Sequence, residues 1–493
     1  MEAKLRVNAT QKLGTINPNM YGNFAEHLGR CIYGGLWVGP KSTTPNDNGL
    51  RLDTTSALRD LKLPILRWPG GCFADNYHWQ WGVGPEDQRR PGHNLWWDRP
   101  EPNEFGTDEF LRACSTIGCA PYVCTNVGSG TVEEALGWVE YCNSAQDTYN
   151  ARLRRDNGHS APYGVRYWGI GNENYGCGGN MTPEQYAFEY RKYATYIRAM
   201  DATLDGGLFL VAAGLFGDYN AEFFRHMNGA LHLLDGFSIH LYVGGFSPSA
   251  TTFSDDDHYR LMGEVLGMNE AVDRACHLLR YYSTFGHRLN LVVDEWGTWY
   301  PEANVPSGLY QQNALRDALY TVCALNMFNR HCERLVMTNM AQTINVLQSV
   351  LLTQGSQMVR TPTYWAYWMF RDHMGATGLA ADVDAPTIKD VAGREVPLVD
   401  ASASVSPDGD KLVLTLANIH LTEEVTLEVS LVGASAATGA TGLLLTSPDV
   451  RDHNTFDAPD AVKPREMEIL AGGEAFTITL PPASALSLSI PLC

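Results

Sequence analysis

Short apolar runs break off abruptly into polar or glycine-rich stretches through the first three quarters of the chain. Eight stand out: Met20–Phe24, Ile65–Trp68, Tyr122–Thr125, Tyr167–Ile170, Phe209–Ala213, Gly236–Ile239, Asn290–Val293 and Arg334–Thr338. Their apolar residues are continuous rather than alternating, as expected of strands covered on both faces in a parallel sheet. Amphipathic segments with helical spacing lie between them: Thr107–Ile117, Val132–Cys142, Pro183–Met200, Tyr259–Thr284 and Tyr310–Asn329. Thr182 followed by Pro183 reads as an N-cap with proline at the first helical position. Strand and helix repeated eight times predict an α/β fold, a (β/α)₈ TIM barrel. The stretches Pro69–Asn103 and Tyr242–Asp257 are its longest predicted loops.

The pattern changes near residue 375. Period-two runs appear at Lys411–Ala417, Val425–Val432 and Ala475–Leu480, separated by Gly, Pro, Ser and Asp. They predict a β-sandwich. Ala3–Asn8 alternates in the same way and is positioned to join that sheet. The expected organisation is an N-terminal strand over 1–17, a catalytic barrel over 18–375 and a C-terminal β-sandwich over 376–493. A chain of 493 residues is long enough for one large domain and a smaller one.

The net charge of −19 disfavours polyanions, so neither nucleic acid nor a charged polymer is an expected partner. The first twenty residues lack the apolar core of a signal peptide. No apolar run is long enough for a membrane span; Leu208–Phe216 is about half the length needed. The expectation is a cytoplasmic protein without membrane contact. The 11 cysteines are scattered, with no CxxC pair or Cys/His cluster, so neither a metal nor another cofactor is expected.

Catalytic groups of such barrels sit at the C-terminal ends of the strands. Here those ends carry Glu26 and His27, then Arg67 to Tyr77, Asn126, Asn172-Glu173-Asn174, His240 and Tyr242, Asp294-Glu295-Trp296, and Gln342. Carboxylates, amides and aromatics on one rim suit a neutral polyhydroxylated ligand. Glycoside hydrolysis requires two carboxyl groups flanking the anomeric carbon. Glu173 on strand four and Glu295 on strand seven face one another across the mouth and form the best pair. The competing readings are a helix-entry residue for Glu173 and a rim salt bridge for Glu295. The Glu173 acid is expected to have a raised pKa. Alternation along the strand predicts that Asp294 points away from Glu295 and supports a neighbour. Asn172 either binds a sugar hydroxyl or serves the turn; Glu26 either fixes hydroxyls or pairs with Arg67. His240 and Tyr242, two apart, face the same way and are placed to orient the two glutamates. The tryptophans at 68, 96, 97, 296 and 299 are sugar platforms or packing.

The stretches YGNFAEHLGRCIYGGLW, LRWPGGCFADNYHW, YWGIGNENYGCGGNM and LVVDEWGTWY, with NVLQSVLLTQG and TPTYWAYW, resemble glycoside hydrolase family 51 over nearly the whole chain and in the family's order. The resemblance implies a barrel followed by a jelly-roll-like β-sandwich and a metal-free, retaining, exo-acting α-L-arabinofuranosidase. It makes Glu173 the acid/base and Glu295 the nucleophile, with sugar contacts from Glu26, Asn76, Asn172 and Tyr242 and with His240 nearby. Cys72 and Trp296 complete the candidate substrate-binding set by their place on the rim. Arabinose-containing oligosaccharides are the implied partners and a homohexamer the implied assembly. Where some relatives carry a glutamine before the last barrel helix, this chain has Arg360-Thr361-Pro362-Thr363-Tyr364. Cys72 and Cys177, both in rim loops, approach as thiols or as a disulfide, or remain apart. The alternatives are the same machinery on a β-D-xyloside, a galactofuranoside or a glucan; a metal-dependent hydrolase using Glu26, His27, His240 and Glu295; and a non-catalytic carbohydrate-binding barrel.

Overall fold

The computed structural model describes residues 1–284 and 286–493. Eight parallel strands close into a barrel and follow one another round the ring in sequence order. They are Gly22–Phe24, Ile65–Trp68, Ala120–Thr125, Tyr167–Ile170, Phe209–Ala213, Gly236–Val243, Asn290–Thr298 and Leu335–Ala341. Both faces are buried, which explains the continuous apolar runs. Ile65, Tyr122, Cys124, Val211, Val292 and Met337 fill the interior. Neighbours such as Leu66, Val123, Leu210, Leu291 and Val293 pack outward on the helices.

The helix Pro183–Arg198 starts as its sequence indicates. Thr182 Oγ1 accepts from the Gln185 amide, and Gln185 Oε1 accepts from the Thr182 amide. That reciprocal pair satisfies two of the donors that open every helix. The helix Asp255–Tyr282 begins before the predicted Tyr259 because Ser254 and Asp257 form another such pair. At 28 residues it spans about 42 Å. Its first turns reach the second domain, where the buried His258 Nε2 lies 2.9 Å from the Ile419 carbonyl.

Nine strands form the β-sandwich around a core that includes Leu5, Leu414, Leu427, Ile478 and Leu488. The N-terminal strand Glu2–Thr15 runs antiparallel to Thr377–Asp384 and parallel to Val425–Val432. The first and last thirds of the chain are thereby joined in one sheet. No helix among the described residues is long and apolar enough to cross a membrane.

The sixth, seventh and eighth barrel strands run past their predicted ends. The polar letters that suggested loops are still paired: His240 stands opposite Glu295, Tyr242 opposite Gly297 and Trp296 opposite Met340. Several candidate site residues are therefore carried on strands rather than on loops. The first strand starts at Gly22, later than expected, because Pro18–Tyr21 forms a 3₁₀ turn capped by the Asn17 side chain.

Candidate active site

Strands four and seven deliver their glutamates to a common centre. One oxygen of Glu173, one of Glu295 and one ring nitrogen of His240 all lie within 4.8 Å of one another. Glu295 is held at both oxygens: Arg67 Nη1 donates to Oε1 at 2.7 Å and the Tyr242 hydroxyl to Oε2 at 2.8 Å. Arg67 is buried and also donates to Asn172 Oδ1 at 2.7 Å. Its charge is compensated by Glu295 and Asp294, as a buried guanidinium requires. Backbone clearance matters on this side. A Cβ on Gly71 would lie 2.7 Å from Glu295 Oε1, and one on Gly70 would lie 2.8 Å from Glu26 Cγ.

Glu173 stands three residues past the end of strand four, in a turn where its own φ is +40°. Its Oε1 takes His240 Nδ1 at 2.8 Å and the Tyr175 hydroxyl at 3.1 Å. The other nitrogen of His240 meets Asp294 Oδ1 at 3.1 Å. The imidazole is thus clamped between carboxylates on both sides. Burial alone would push its pKa down, but Glu295, Asp294 and Glu173 raise it to about 10. Burial pushes Glu173 up, yet the His240 hydrogen bond and charge, Tyr175 and Arg67 hold it below its ordinary value. The expected raised pKa is therefore reversed in this structure: the contact lowers Glu173 and raises His240.

Asp294 does not point away from Glu295. On strand seven Val293 and Asp294 stand opposite the single residue Ile239 of strand six, an arrangement of the β-bulge kind. Val292 faces the interior and Val293 the helices. The extra residue then lets Asp294 and Glu295 both turn inward. Burial raises the Asp294 carboxyl, but Arg67, His240 and Tyr122 outweigh it and hold the group well below the carboxylate range.

Glu26 closes the other wall of the site. Its Oε1 accepts from the amides of Gly71 and Phe73 and from Trp97 Nε1; its Oε2 accepts from Gln342 at 2.8 Å. It does not pair with Arg67. Burial first, and repulsion from Glu295 second, raise its pKa to about 7. Asn76 accepts from the Leu95 amide at 3.1 Å and so anchors the hairpin that bears Trp97. Cys72 and Cys177 form a disulfide, with Cα atoms 5.5 Å apart. It ties the loop after strand two to the loop after strand four, and the Cys177 sulfur lies 3.7 Å from Glu173 Oε2.

Trp296 is a correction. Its side chain is fully buried behind the barrel wall among Tyr320, Phe328 and Tyr367, with Nε1 on Thr338 Oγ1. The residue after an inward Glu295 faces outward, so Trp296 is core and not a sugar platform. His27 is likewise turned from the centre, with one nitrogen at Glu101 and the other accepting from Trp68 Nε1. The ligand set Glu26, His27, His240 and Glu295 is not assembled. Glu173, His240 and Glu295 are close enough for a metal, but both ring nitrogens of His240 are already engaged, Nδ1 by Glu173 and Nε2 by Asp294.

Tyr175 and Asp75 belong to the site although sequence reasoning gave them no role of their own, and Gln342 and Trp97, read only as a strand-end amide and as a platform or packing, both bind Glu26. Asp75 accepts from the amides of Val127, Gly128 and Asn172 and so fixes the rim loops. Arg67 carried a readable signal, since an arginine within an apolar barrel strand demands buried acidic partners.

Paired carboxylates over the mouth of a parallel barrel, set among amides, hydroxyls and aromatic rings, are the arrangement of a glycoside hydrolase. Residues 57–244 match the family described as Alpha-L-arabinofuranosidase 1 domain, and residues 294–484 the one described as Alpha-L-arabinofuranosidase C-terminal domain. An intracellular exo-α-L-arabinofuranosidase of Bacteroides ovatus is 42% identical across 99% of this chain and 95% of its own. The crystal structure of a GH51 arabinofuranosidase from Xanthomonas axonopodis pv. citri superposes with a TM-score of 0.93 at 35% identity, covering 99% of this chain and all of that one (100%). An arabinose complex of the Thermotoga maritima α-L-arabinofuranosidase gives a TM-score of 0.85 at 30% identity, with 99% and 100% coverage. The chain belongs to glycoside hydrolase family 51, among its α-L-arabinofuranosidases.

Proposed function

We propose that this protein releases terminal α-L-arabinofuranosyl residues from arabinose-containing oligosaccharides by a retaining double displacement, with Glu295 as nucleophile and Glu173 as acid/base. The observation that carries this reading is the approach of the two carboxylates to within 4.8 Å. Retaining enzymes hold their carboxyl groups about 5–5.5 Å apart, whereas inverting ones need about 6.5–9.5 Å to admit a water. Exo action is supported by the wall that Glu26, Gln342 and Trp97 form on one side of the carboxylate pair.

The ionisation pattern supplies a route for the proton. Before reaction Glu295 is the negative charge that chiefly sustains the His240 imidazolium. Attack on the anomeric carbon converts that carboxylate into an ester and removes the charge. In the same step the glycosidic bond breaks, as His240 passes its Nδ1 proton to Glu173 and Glu173 passes one to the departing oxygen. In the second half, water attacks the ester. Its proton returns through Glu173 to His240, and Glu295 regains its charge. Asp294 keeps the ring oriented at its other nitrogen throughout. Glu26 and Asn172 are hydroxyl ligands for the bound sugar, and Asn76 holds the hairpin that covers it.

Glu173→Ala tests the assignment. The variant is expected to lose about 10²–10⁴-fold in kcat on oligosaccharides but far less on an aryl arabinofuranoside whose leaving group needs no proton. Equal losses on both would remove Glu173 from the acid role. The same reading includes a cytoplasmic location and a homohexamer, the latter checked by light scattering.

A further inference from the structure

The carboxylate pair is walled in on the Glu26 side but open beyond Glu173. From Glu173 a groove of about 490 Å³ runs past Tyr175, Tyr242 and Phe216 to the helix Asp255–Tyr282, where Glu264 and Arg274 line its far end. Clefts of about 300–1,000 Å³ are the size that buries ligands of several rings. We propose that this groove binds the leaving-group portion of the substrate as an uncharged pentose oligosaccharide, with Phe216 as its stacking platform. The proposal rests on the assignment of Glu173 as acid. A protonated Glu173 must face the glycosidic oxygen, so the part of the substrate beyond that oxygen has to leave the centre on the Glu173 side.

Phe216 suits the role in three respects. It is 47% exposed although large and apolar. It sits at the lip of the site as the N-cap of the helix Gly217–His226, with no side-chain capping bond to occupy it. Gly217 follows at φ +55°, a conformation that glycine adopts without strain and that sets the turn. An aromatic face takes the C–H surface of a sugar ring, while hydroxyls seek polar partners. Tyr175 continues the aromatic wall, edge-on to Tyr219 with ring centres 5.8 Å apart. At the far end, residues 264, 267, 271 and 274 share one helix face. There Glu264 is fixed by Arg394 at 3.1 Å, while Arg274 is 74% exposed and only loosely paired with Glu270 at 3.8 Å. One fixed acceptor and one adaptable donor fit hydroxyl groups rather than an anion.

The experiment compares wild type, Phe216→Ala and Phe216→Tyr on three substrates: 4-nitrophenyl α-L-arabinofuranoside, a linear arabino-oligosaccharide and an arabinose-substituted xylo-oligosaccharide. Phe216→Ala is expected to lose about tenfold in kcat/KM on an oligosaccharide relative to its loss on the aryl glycoside, mainly through KM, and Phe216→Tyr to restore it. Whichever oligosaccharide shows the loss identifies the main chain the groove accepts. Equal loss on all three substrates, or no loss on either oligosaccharide, would overturn the proposal. If Phe216→Ala melts early, Phe216→Leu removes the ring and keeps the bulk. Failure of the wild type on the aryl glycoside would sink the arabinofuranosidase reading instead. The groove is then read by calorimetric titration with the unsubstituted main-chain oligosaccharides, which needs no turnover: weaker binding by Phe216→Ala supports it and unchanged binding refutes it.

Discussion

The barrel mouth and the seam between barrel and sandwich each bury histidines, and the two places leave them in opposite charge states. At the mouth, His240 touches Glu173 and Asp294 and is raised to about 10. At the seam, His373 sits between the hydroxyls of Ser404 and Thr415, both at 2.7 Å, and burial lowers it to about 3. His258, on the Ile419 carbonyl, is lowered to about 4 by burial first. Seclusion from water is common to all three. What differs is the partner: carboxylates stabilise an imidazolium, whereas hydroxyls and carbonyls leave the ring neutral. The mouth stores a proton it can move; the seam uses neutral rings as hydrogen-bonding struts.

The difference breaks most completely at Glu295. Glu295→Ala removes both the proposed nucleophile and the chief support of the His240 charge. Turnover on every arabinofuranoside is expected to fall by about 10⁴-fold or more, measured with 4-nitrophenyl α-L-arabinofuranoside; appreciable residual activity would contradict the assignment. The next largest effect separates the two histidines. His240→Ala is expected to shift the alkaline limb of the kcat/KM profile down by roughly 1–3 pH units, because the transferable proton must then reside on Glu173 alone. His373→Asn should leave that profile in place and cost about 1–3 kcal/mol of stability by unsatisfying buried hydroxyls, read as a lower Tm. A shared response would erase the distinction.

Stability against pH sharpens the same contrast. His240 has a folded pKa of about 10 against 6.5, so its contribution is complete below about 6.5 and is lost as pH rises toward 10. His373 and His258 have folded values of about 3 and 4, so they destabilise the fold as pH falls below 6.5, when only the unfolded rings take up protons. Alkaline melting should therefore respond to His240 substitutions, and acid melting to His373 and His258. The smallest expected change concerns the rim. Thiol labelling of the unfolded protein should gain two sites after reduction, because Cys72 and Cys177 are joined. The gain would be absent if they stood as free thiols.

Much of this was legible in the chain. Eight apolar runs separated by helical segments implied the barrel, because a strand covered on both faces admits few polar residues. Glu173 and Glu295 were legible because polar residues cluster only where those strands end. Local alternation failed at Asp294: a bulge inserts one residue, and period two cannot register an insertion that the neighbouring strands impose. Trp296 failed with it, since the same step that turns Glu295 inward sends the indole outward. The charge on His240 was hidden for a different reason. It depends on three carboxylates contributed by strands four and seven, and the sequence does not state their distances. The partner of Arg67 stayed open for the same reason: reach across the barrel decides between Glu26 and Glu295, and the structure gives Glu295.

The most direct test of two carboxylates acting on one anomeric carbon is the configuration of the sugar first released. Proton NMR during the first minutes of hydrolysis of an aryl α-L-arabinofuranoside should show α-L-arabinofuranose before ring opening mixes the anomers. Initial appearance of the β anomer would contradict double displacement at Glu295.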